Sequence, residues 1–346
     1  MNERVDRLRA ALDEPLLVSD PTNVRYLSGL ASTNAALLVE PDRVRLFADF
    51  RYAARGRAVE GAEFVEAKRD LFQTLSEVLS GRIGFEASSL TYERYARLHA
   101  GGIDLVGRYG LVEELRMVKD EDELAAIRRA AEITNNAFER FADEGGVVGK
   151  TERELAWRME QLLHDADGDS VAFPVAVAAG PNTAKPHTVP GERPVGKGEA
   201  VFVDAGCTVA GYCSDCTRTF ATGPLPDELK RAYDVCLDAQ LAGLAAVRAG
   251  ASGSGVDAAA RDRIEAAGFG EAFGHGLGHG VGLLVHEDPR LAQESRHTLA
   301  PGNVVTVEPG IYLPGLGGMR IEDLVVVRED EPEVLTHFTK ELVMLD

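Results

Sequence analysis

Basic residues are scarce in this chain of 346 residues: 37 Lys and Arg stand against 56 Asp and Glu, a formal net charge of −19 with the histidines neutral. Binding to nucleic acid or to an anionic membrane requires clustered positive charge that neutralises phosphates. We therefore expect neither nucleic acid nor a membrane as partner. The acidity itself is typical of a soluble, self-repelling surface.

Cysteine is also rare, with four residues at positions 207, 213, 216 and 236, which is typical of reduced thiols rather than of a disulfide framework. Cys213 and Cys216 match the C-x-x-C pattern. Residues three apart on a strand point to opposite faces, however, so this pair would not chelate one ion. We interpret all four cysteines as packing thiols.

Long apolar runs are missing, because no segment reaches the roughly 18 uninterrupted apolar residues of a membrane span. The first 14 residues mix charges of both signs and contain no apolar core of a signal peptide. The sequence therefore predicts a cytoplasmic protein. With a hydrophobic fraction of 45%, the chain still has enough apolar residues to form one large domain or two ordinary ones.

Residues 1–112 alternate short apolar runs with amphipathic stretches, which predicts an α/β domain. The predicted strands are 16–18, 35–39, 44–48 and 82–85, and the predicted helices are 51–60, 70–80 and 90–101. Residues 113–346 are expected to form a second domain. It would open with one long helix from Leu115 to about Phe141, in which apolar residues follow a helical period.

The second domain is predicted to contain a repeat. Thr151 and Glu154 form a capping box that opens a helix, and Gly255 opens another helix 104 residues later. Asp204 and Glu308 are also 104 residues apart. Each half has the same order of two helices, a strand and an acidic hairpin, which predicts a pseudo-two-fold repeat.

Two pairs of acidic residues flank the predicted hairpin turns: Asp204 with Asp215, and Glu308 with Glu322. If the members of each pair face each other, their Cβ atoms are roughly 4.5–5.5 Å apart, and such like charges destabilise the hairpin unless a cation lies between them. The repeat would bring both pairs together at the centre of the domain. The turns would then be centred on Val209–Ala210 and on Gly315.

Four carboxylates carry a charge of −4, which two divalent cations neutralise. Oxygen-rich ligation favours Mn²⁺, Co²⁺ or Fe²⁺ over the Cys- and His-rich sites of structural zinc. Two ions about 3.5–4 Å apart can hold a hydroxide and polarise a carbonyl, as in hydrolytic two-metal enzymes. The alternative is that the acids are solvated strand-face residues. The apolar runs 201–203 and 304–307 argue against it, because unpaired acids on buried strands are costly.

Histidines cluster beside glycines in segment 274–289, which contains His275, His279 and His286. The interleaved glycines disfavour a helix and favour close approach of the backbone to a ligand or metal. His187 lies in a Pro-rich loop before the first hairpin, a candidate rim of the site. Arg320 shares a strand face with Glu322 and would either orient a carboxylate or form a simple cross-strand ion pair.

Together these motifs resemble the Xaa-Pro peptidases, prolidase and aminopeptidase P, of the pita-bread metallopeptidases. The matching segments are 23–30, 49–52, 203–206, 212–220, 275–283, 285–289, 307–312 and 320–323. The likeness therefore covers nearly the whole chain. It implies a creatinase-like N-terminal α/β domain over 1–112 and an α+β pita-bread catalytic domain of the creatinase/aminopeptidase type over 113–346.

The resemblance implies two divalent metal ions, Mn²⁺ or Co²⁺, with Fe²⁺ or Zn²⁺ as alternatives. The implied ligands are Asp204, Asp215, His279, Glu308 and Glu322, of which Asp215 and Glu322 would bridge both ions. The choice of His279 over His275 rests on the resemblance alone. A metal-bridged hydroxide would attack the carbonyl that precedes proline in the substrate peptide.

Further roles also follow from the resemblance. His187 and His286 would be catalytic histidines that contact the scissile peptide and stabilise the tetrahedral intermediate. Glu308 would pass the proton of the attacking water to the proline nitrogen. His275 and Arg320 belong to the implied substrate-binding set, His275 as a pocket-lining residue and Arg320 as an arginine behind the metal ligands.

The preferred peptide length stays open between a dipeptidase that cleaves only Xaa-Pro and an aminopeptidase P that cleaves longer Xaa-Pro-Yaa peptides. Arg290 matches an arginine with which prolidases bind the free carboxylate, but it is equally interpreted as an exposed loop residue. A rival of another class is a non-catalytic binding protein on the same fold, which would have lost metal ligands. The resemblance further implies a homodimer or homotetramer.

Overall fold

The computed structural model describes residues 3–345. The chain divides into two units, residues 1–116 and 117–346. Its first part contains α1 (Glu3–Ala10), β1 (Leu16–Val18), α2 (Pro21–Ser28), β2 (Ala35–Val39), β3 (Val44–Asp49), α3 (Ala53–Arg57), β4 (Glu63–Ala67), α4 (Leu71–Val78), β5 (Arg82–Glu86), α5 (Tyr92–Ala100), β6 (Asp104–Arg108) and α6 (Leu111–Met117). The boundary predicted after residue 112 falls inside α6.

The first unit is an α/β domain, as predicted, with one sheet in the order β4-β3-β2-β1-β5-β6. Each of the four predicted strands matches a strand of this sheet. The two strands that the sequence did not reveal, β4 and β6, lie at the edges of the sheet. In β4 only Ala67 is buried and in β6 no residue is, and each strand has just two large apolar residues in a row, a run too short to indicate a strand.

The second unit continues with α7 (Glu121–Glu144), α8 (Glu152–Asp165), β7 (Ser170–Val171), β8 (Ala176–Ala179), β9 (Ala200–Ala205), β10 (Cys207–Val209), β11 (Tyr212–Cys213), β12 (Cys216–Ala221), α9 (Asp227–Ala246), α10 (Gly253–Ala266), β13 (Gly278–Gly280), β14 (Glu287–Leu291), β15 (Val304–Val307), β16 (Gly310–Leu313), β17 (Gly317–Arg320), β18 (Asp323–Val326) and β19 (Glu333–Val334). Among residues 3–345, no helix is long and apolar enough to cross a membrane.

The predicted repeat is confirmed by the order of these elements. In the first half, α7 and α8 pack on a sheet of order β12-β9-β8. In the second half, α9 and α10 pack beside a sheet of order β14-β13-β15-β18-β19. Each half has its own apolar core, and the four acids lie on or directly beside strands β9, β12, β15 and β18.

The predicted register of the second hairpin is confirmed. Val307 faces Asp323 across β15 and β18, and Gly310 faces Arg320 across β16 and β17. The same register on both sides places Glu308 opposite Glu322. The turn is centred on Gly315, whose φ of 83° is available to glycine without strain.

The predicted register of the first hairpin is wrong by two residues. Asp204 faces Thr217 rather than Asp215, and Val209 faces Tyr212. The turn therefore falls on residues 210–211, both of which have positive φ, as a two-residue type I′ turn requires. Asp215 lies in the short break between β11 and β12.

The single long helix predicted from Leu115 to Phe141 is also wrong, because the chain leaves the helix after Met117 and starts α7 at Glu121. Asp120 accepts a hydrogen bond from the N–H of Glu123 at 2.9 Å, and the Glu123 carboxylate accepts one from the N–H of Asp120. This reciprocal capping box satisfies two N–H groups that a continuous helix would have bonded internally.

We expect Asp120→Ala to lower the free energy of unfolding by about 1 kcal/mol, because it removes the side-chain cap of α7. Urea unfolding of the full chain, followed by circular dichroism, measures the change. Glu139→Ala, at an exposed position within α7, is the control. Equal loss of stability in the two variants would contradict a capping role.

Candidate metal centre and substrate cavity

The five residues predicted as metal ligands line a single cavity of about 250 Å³. Asp204 lies near the end of β9 and Glu308 directly after β15. Asp215 and Glu322 directly precede β12 and β18, and His279 is the middle residue of β13. Strands from both halves of the repeat therefore place their acidic residues around one cavity.

His279 directs a ring nitrogen at two carboxylates. Its Nδ1 lies 3.1 Å from the carbonyl oxygen of Gly280, which can only accept, so Nδ1 carries the hydrogen. Nε2 lies 3.1 Å from Glu308 Oε1 and 3.7 Å from Asp215 Oδ2. A neutral imidazole would thus point its lone pair at acceptors, which is favourable only with an added proton or a cation between them.

Two carboxylate oxygens in the cavity have no hydrogen-bond partner among the described residues, although both are buried. They are Asp204 Oδ1 and Glu322 Oε1. An unpaired buried carboxylate oxygen is costly to desolvate. The candidate ligand atoms of Asp215, His279 and Glu322 all lie within 4.8 Å of one another. This donor set fits divalent cations of the hard or borderline kind.

The protonation tendencies of the acids reflect this crowding. Burial, and then the charges of Glu322 and Asp204, raise the pKa of Asp215 well above its ordinary value. Burial together with the charges of Glu308 and Asp204 does the same to the pKa of Glu322. Without cations, the site therefore resists holding all four negative charges at once.

Glu308 behaves in the opposite way. Burial opposes its ionisation, but a protonated His279, through its hydrogen bond and its charge, and the charge of Arg320 lower the pKa of Glu308 below the ordinary value. Glu308 is consequently the carboxylate of the cluster that the protein itself keeps ionised.

Arg320 is buried at the end of β17 and its guanidinium contacts the Asp204 carboxylate. Its Nε donates to the Thr217 hydroxyl at 2.9 Å and its Nη1 donates to the carbonyl of Pro186 at 3.1 Å. The guanidinium therefore holds one acid of the cluster and a neighbouring loop. Of the two interpretations from the sequence, the one in which Arg320 orients a carboxylate agrees with these contacts.

Two threonines and a tyrosine that the sequence did not single out also support the site. Thr217 donates to Glu322 Oε2 at 2.7 Å, and Thr306 donates to Glu308 Oε1 at 3.1 Å. Thr217 follows Asp215 by two residues and Thr306 precedes Glu308 by two, so the period of a strand could have indicated both. Tyr312 carried no such signal.

His275 does not contact the carboxylates but pairs with Tyr312. Its Nδ1 donates to the carbonyl of Gly276 at 2.8 Å, and its Nε2 lies 3.1 Å from the Tyr312 hydroxyl. Burial raises the pKa of Tyr312 to about 12, so the phenol keeps its hydrogen and donates it to His275. His275 is thereby placed as a wall of the neighbouring cavity.

A larger cavity of about 720 Å³ adjoins the acidic one. The residues that line both are Pro186, His187, His279, His286, Glu308 and Arg320. His275 and Arg290 line only the larger cavity. The larger cavity therefore leads directly to the carboxylate cluster and is the candidate substrate site.

His286 and His187 approach the cluster from two loops. The ring of His286 packs edge-on against that of His279, with 4.3 Å between centroids. Burial and the nearby His279 lower the pKa of His286, which favours the neutral imidazole. The next residue, Glu287, forms an ion pair of 2.8 Å with the buried Lys119 and so anchors this loop. His187 is exposed on its own loop.

Arg290 is exposed on β14. Among the described residues its guanidinium forms no hydrogen bond or ion pair, while its backbone N–H donates to His297 Nδ1 at 3.3 Å. The side chain is thus available to an anionic group in the larger cavity. It is separate from the carboxylate cluster.

Comparisons with known proteins agree with this geometry. Residues 125–329 match metallopeptidase family M24, and residues 4–118 match the creatinase/prolidase N-terminal domain. The chain is similar to the uncharacterized peptidase YqhT of Bacillus subtilis, with 38% identity over 337 residues that cover 95% of each protein.

Solved structures show the same relationship over the full length. The Xaa-Pro dipeptidase from Bacillus anthracis superposes with a TM-score of 0.95 at 36% identity and 99% coverage of both chains. The X-Pro aminopeptidase from Thermotoga maritima superposes with a TM-score of 0.89 at 32% identity, covering 99% of this chain and 100% of its own. The predicted creatinase-like domain and pita-bread domain are both confirmed, and the chain belongs to metallopeptidase family M24.

Proposed function

We propose that this metallopeptidase hydrolyses the peptide bond before proline in Xaa-Pro peptides. The observation that supports it best is the acidic cavity, where His279 Nε2 faces Glu308 and Asp215 while oxygens of Asp204 and Glu322 lie buried without partners. The similarity to an Xaa-Pro dipeptidase and an X-Pro aminopeptidase supports the choice of substrate.

Two divalent ions, Mn²⁺ or Co²⁺ with Fe²⁺ or Zn²⁺ as alternatives, would be held by Asp204, Asp215, His279, Glu308 and Glu322. The balance of charge supports two ions, because four carboxylates surround the cavity and Arg320 alone contacts them as a cationic side chain among the described residues. Bound ions would acidify water and polarise the scissile carbonyl.

The protein's own groups have distinct tasks in this proposal. Glu308 Oε1 accepts a hydrogen bond from the Thr306 hydroxyl, so Oε2 would take the proton of the attacking water and pass it to the proline nitrogen. That nitrogen is a tertiary amide without a hydrogen, so it must be protonated to leave. His286 in its neutral form, together with His187, would donate hydrogen bonds to the oxygen on which negative charge develops.

Glu322→Ala and Asp215→Ala are expected to lose metal and turnover together, because each removes a carboxylate of the shared cavity. Plasma mass spectrometry of protein loaded with Mn²⁺ or Co²⁺ and then desalted measures metal per chain. Glu329→Ala removes an exposed carboxylate elsewhere and should keep both properties. An active Glu322→Ala enzyme that is free of metal would rule out the assignment.

We further propose that the enzyme acts as a dipeptidase, with Arg290 binding the free carboxylate of Xaa-Pro. Its position on the wall of the larger cavity and its unpaired guanidinium support this role. An aminopeptidase P activity would need no such contact at the proline carboxylate, because that group is then part of a peptide bond.

Arg290→Ala is expected to raise KM for Xaa-Pro by about 10-fold or more, since a hydrogen bond between charged groups contributes about 1.5–3 kcal/mol. The effect should vanish with an Xaa-Pro amide, which has no negative charge. Steady-state kinetics with Xaa-Pro, its amide and Xaa-Pro-Yaa measure this, with Arg248→Ala as the control. A preference of the unaltered enzyme for Xaa-Pro-Yaa would favour aminopeptidase P instead.

A homodimer or homotetramer, a cytoplasmic location and the domain limits 1–112 and 113–346 also stand as proposals. The first rests on the resemblance to the Xaa-Pro peptidases. The second rests on the acidic composition. Light scattering coupled to size-exclusion chromatography would determine the assembly.

A further inference from the structure

One buried carboxylate ties both ends of the loop that carries His187. Glu152 is the first residue of α8 and is only 1% exposed. Its Oε1 accepts hydrogen bonds from the N–H of Ala179 and from the side-chain amide of Asn182, each at 2.9 Å. Its Oε2 accepts one from the N–H of Gly191 at 3.1 Å.

These donors lie at the two ends of segment 180–191. Ala179 ends β8, Asn182 lies in the short 3₁₀ turn that follows, and Gly191 closes the segment. We infer that Glu152 is a positioning residue that holds His187 in the substrate cavity. The inference rests on the catalytic role proposed for His187.

The middle of the same loop is fixed from the opposite side. The Thr183 hydroxyl donates to the carbonyl of Gly180 at 2.6 Å and accepts from the N–H of Gly318 at 2.7 Å. Arg320 donates to the carbonyl of Pro186, the residue before His187. Glu152 therefore holds both ends of the loop by hydrogen bonds, and Arg320 holds the residue next to His187.

The position of His187 depends on these loop contacts, because its own side chain is exposed and forms no hydrogen bond among the described residues. Its position is set by the backbone alone. A free loop of this length samples many conformations, and tying its ends removes most of them. A misplacement of about 1 Å of a catalytic group costs up to about 100-fold in rate.

The three donors require a carboxylate. Glutamine has the same shape but a single acceptor oxygen, so Glu152→Gln would turn an NH₂ group towards one of the loop N–H groups. The negative charge of Glu152 is offset by the N-terminus of α8, where anions are favourable, and by the nearby Arg193. The Glu152→Gln variant should still fold, because backbone hydrogen bonds in this region remain. The N–H of Glu152 donates to the carbonyl of Arg193, and the N–H of Arg153 donates to the carbonyl of Gly191.

The chain offers a matched control two residues further on. Glu154 belongs to the first turn of the same helix and accepts hydrogen bonds from the N–H and hydroxyl of Thr151. It does not contact the His187 loop. Glu154→Gln therefore measures how the loss of a carboxylate in the first turn of α8 affects the enzyme when the His187 loop keeps its contacts.

The test compares full-length Mn²⁺-loaded Glu152→Gln, Glu154→Gln and unaltered enzyme on an Xaa-Pro dipeptide. We expect Glu152→Gln to lower kcat about 10- to 100-fold with little change in KM, since His187 would act on the transition state. Hydrogen exchange of the amides in 179–191 should become faster in this variant only. Metal content should equal that of the unaltered enzyme.

A double-mutant cycle with His187→Ala separates positioning from general damage. If Glu152 acts through His187, Glu152→Gln should cost nothing further in kcat once His187 is alanine. Equal kinetics and exchange in the Glu152→Gln and Glu154→Gln variants, or additive losses in the cycle, would overturn the inference. An unaltered enzyme that is inactive on Xaa-Pro, or a fully active His187→Ala enzyme, would instead overturn the proposed function on which it rests.

Discussion

The concentration of negative charge at the centre of the second unit is the constraint on which the rest of the structure depends. Four carboxylates and the Nε2 lone pair of His279 converge on one small cavity, and burial removes the water that would solvate them. Burial, and then the charges of the neighbouring acids, raise the pKa of Asp215 and of Glu322. A fold retains such an arrangement only when cations complete it, as expected of a metallopeptidase.

A rigid frame of hydrogen bonds and a buried ion pair holds these acids in place. Thr217 and Thr306 each hold one carboxylate oxygen and leave the others directed into the cavity. Behind them the fully buried Arg218 pairs with Asp323 at 2.7 Å and also binds the carbonyl of Glu322. The backbone next to a candidate ligand is thus fixed by an ion pair that has no access to substrate.

The two hairpins differ in how far the sequence predicts their register. The second register was predictable because a glycine with positive φ lies midway between the two acids. In the first hairpin the turn uses Ala210, a non-glycine residue with a φ of 50°, and the pairing shifts by two residues. The shift keeps Asp204 and Asp215 on the same face, because side chains alternate with a period of two. The prediction that these two acids share one site is therefore correct, although the predicted register is wrong.

The sequence by itself determined the α/β first domain, the repeat, the four acids with their histidine neighbour and the family resemblance, because each leaves a local pattern of period, spacing or charge. Only the tertiary structure decided the break before α7, the edge strands β4 and β6, the course of the larger cavity past Arg290, and the contacts of Arg320. It alone revealed that Glu152 ties the His187 loop. The hydrogen bonds of Glu152 join residues that are 27 to 39 positions apart in the sequence. No periodic pattern in a sequence indicates which buried donors such a carboxylate binds.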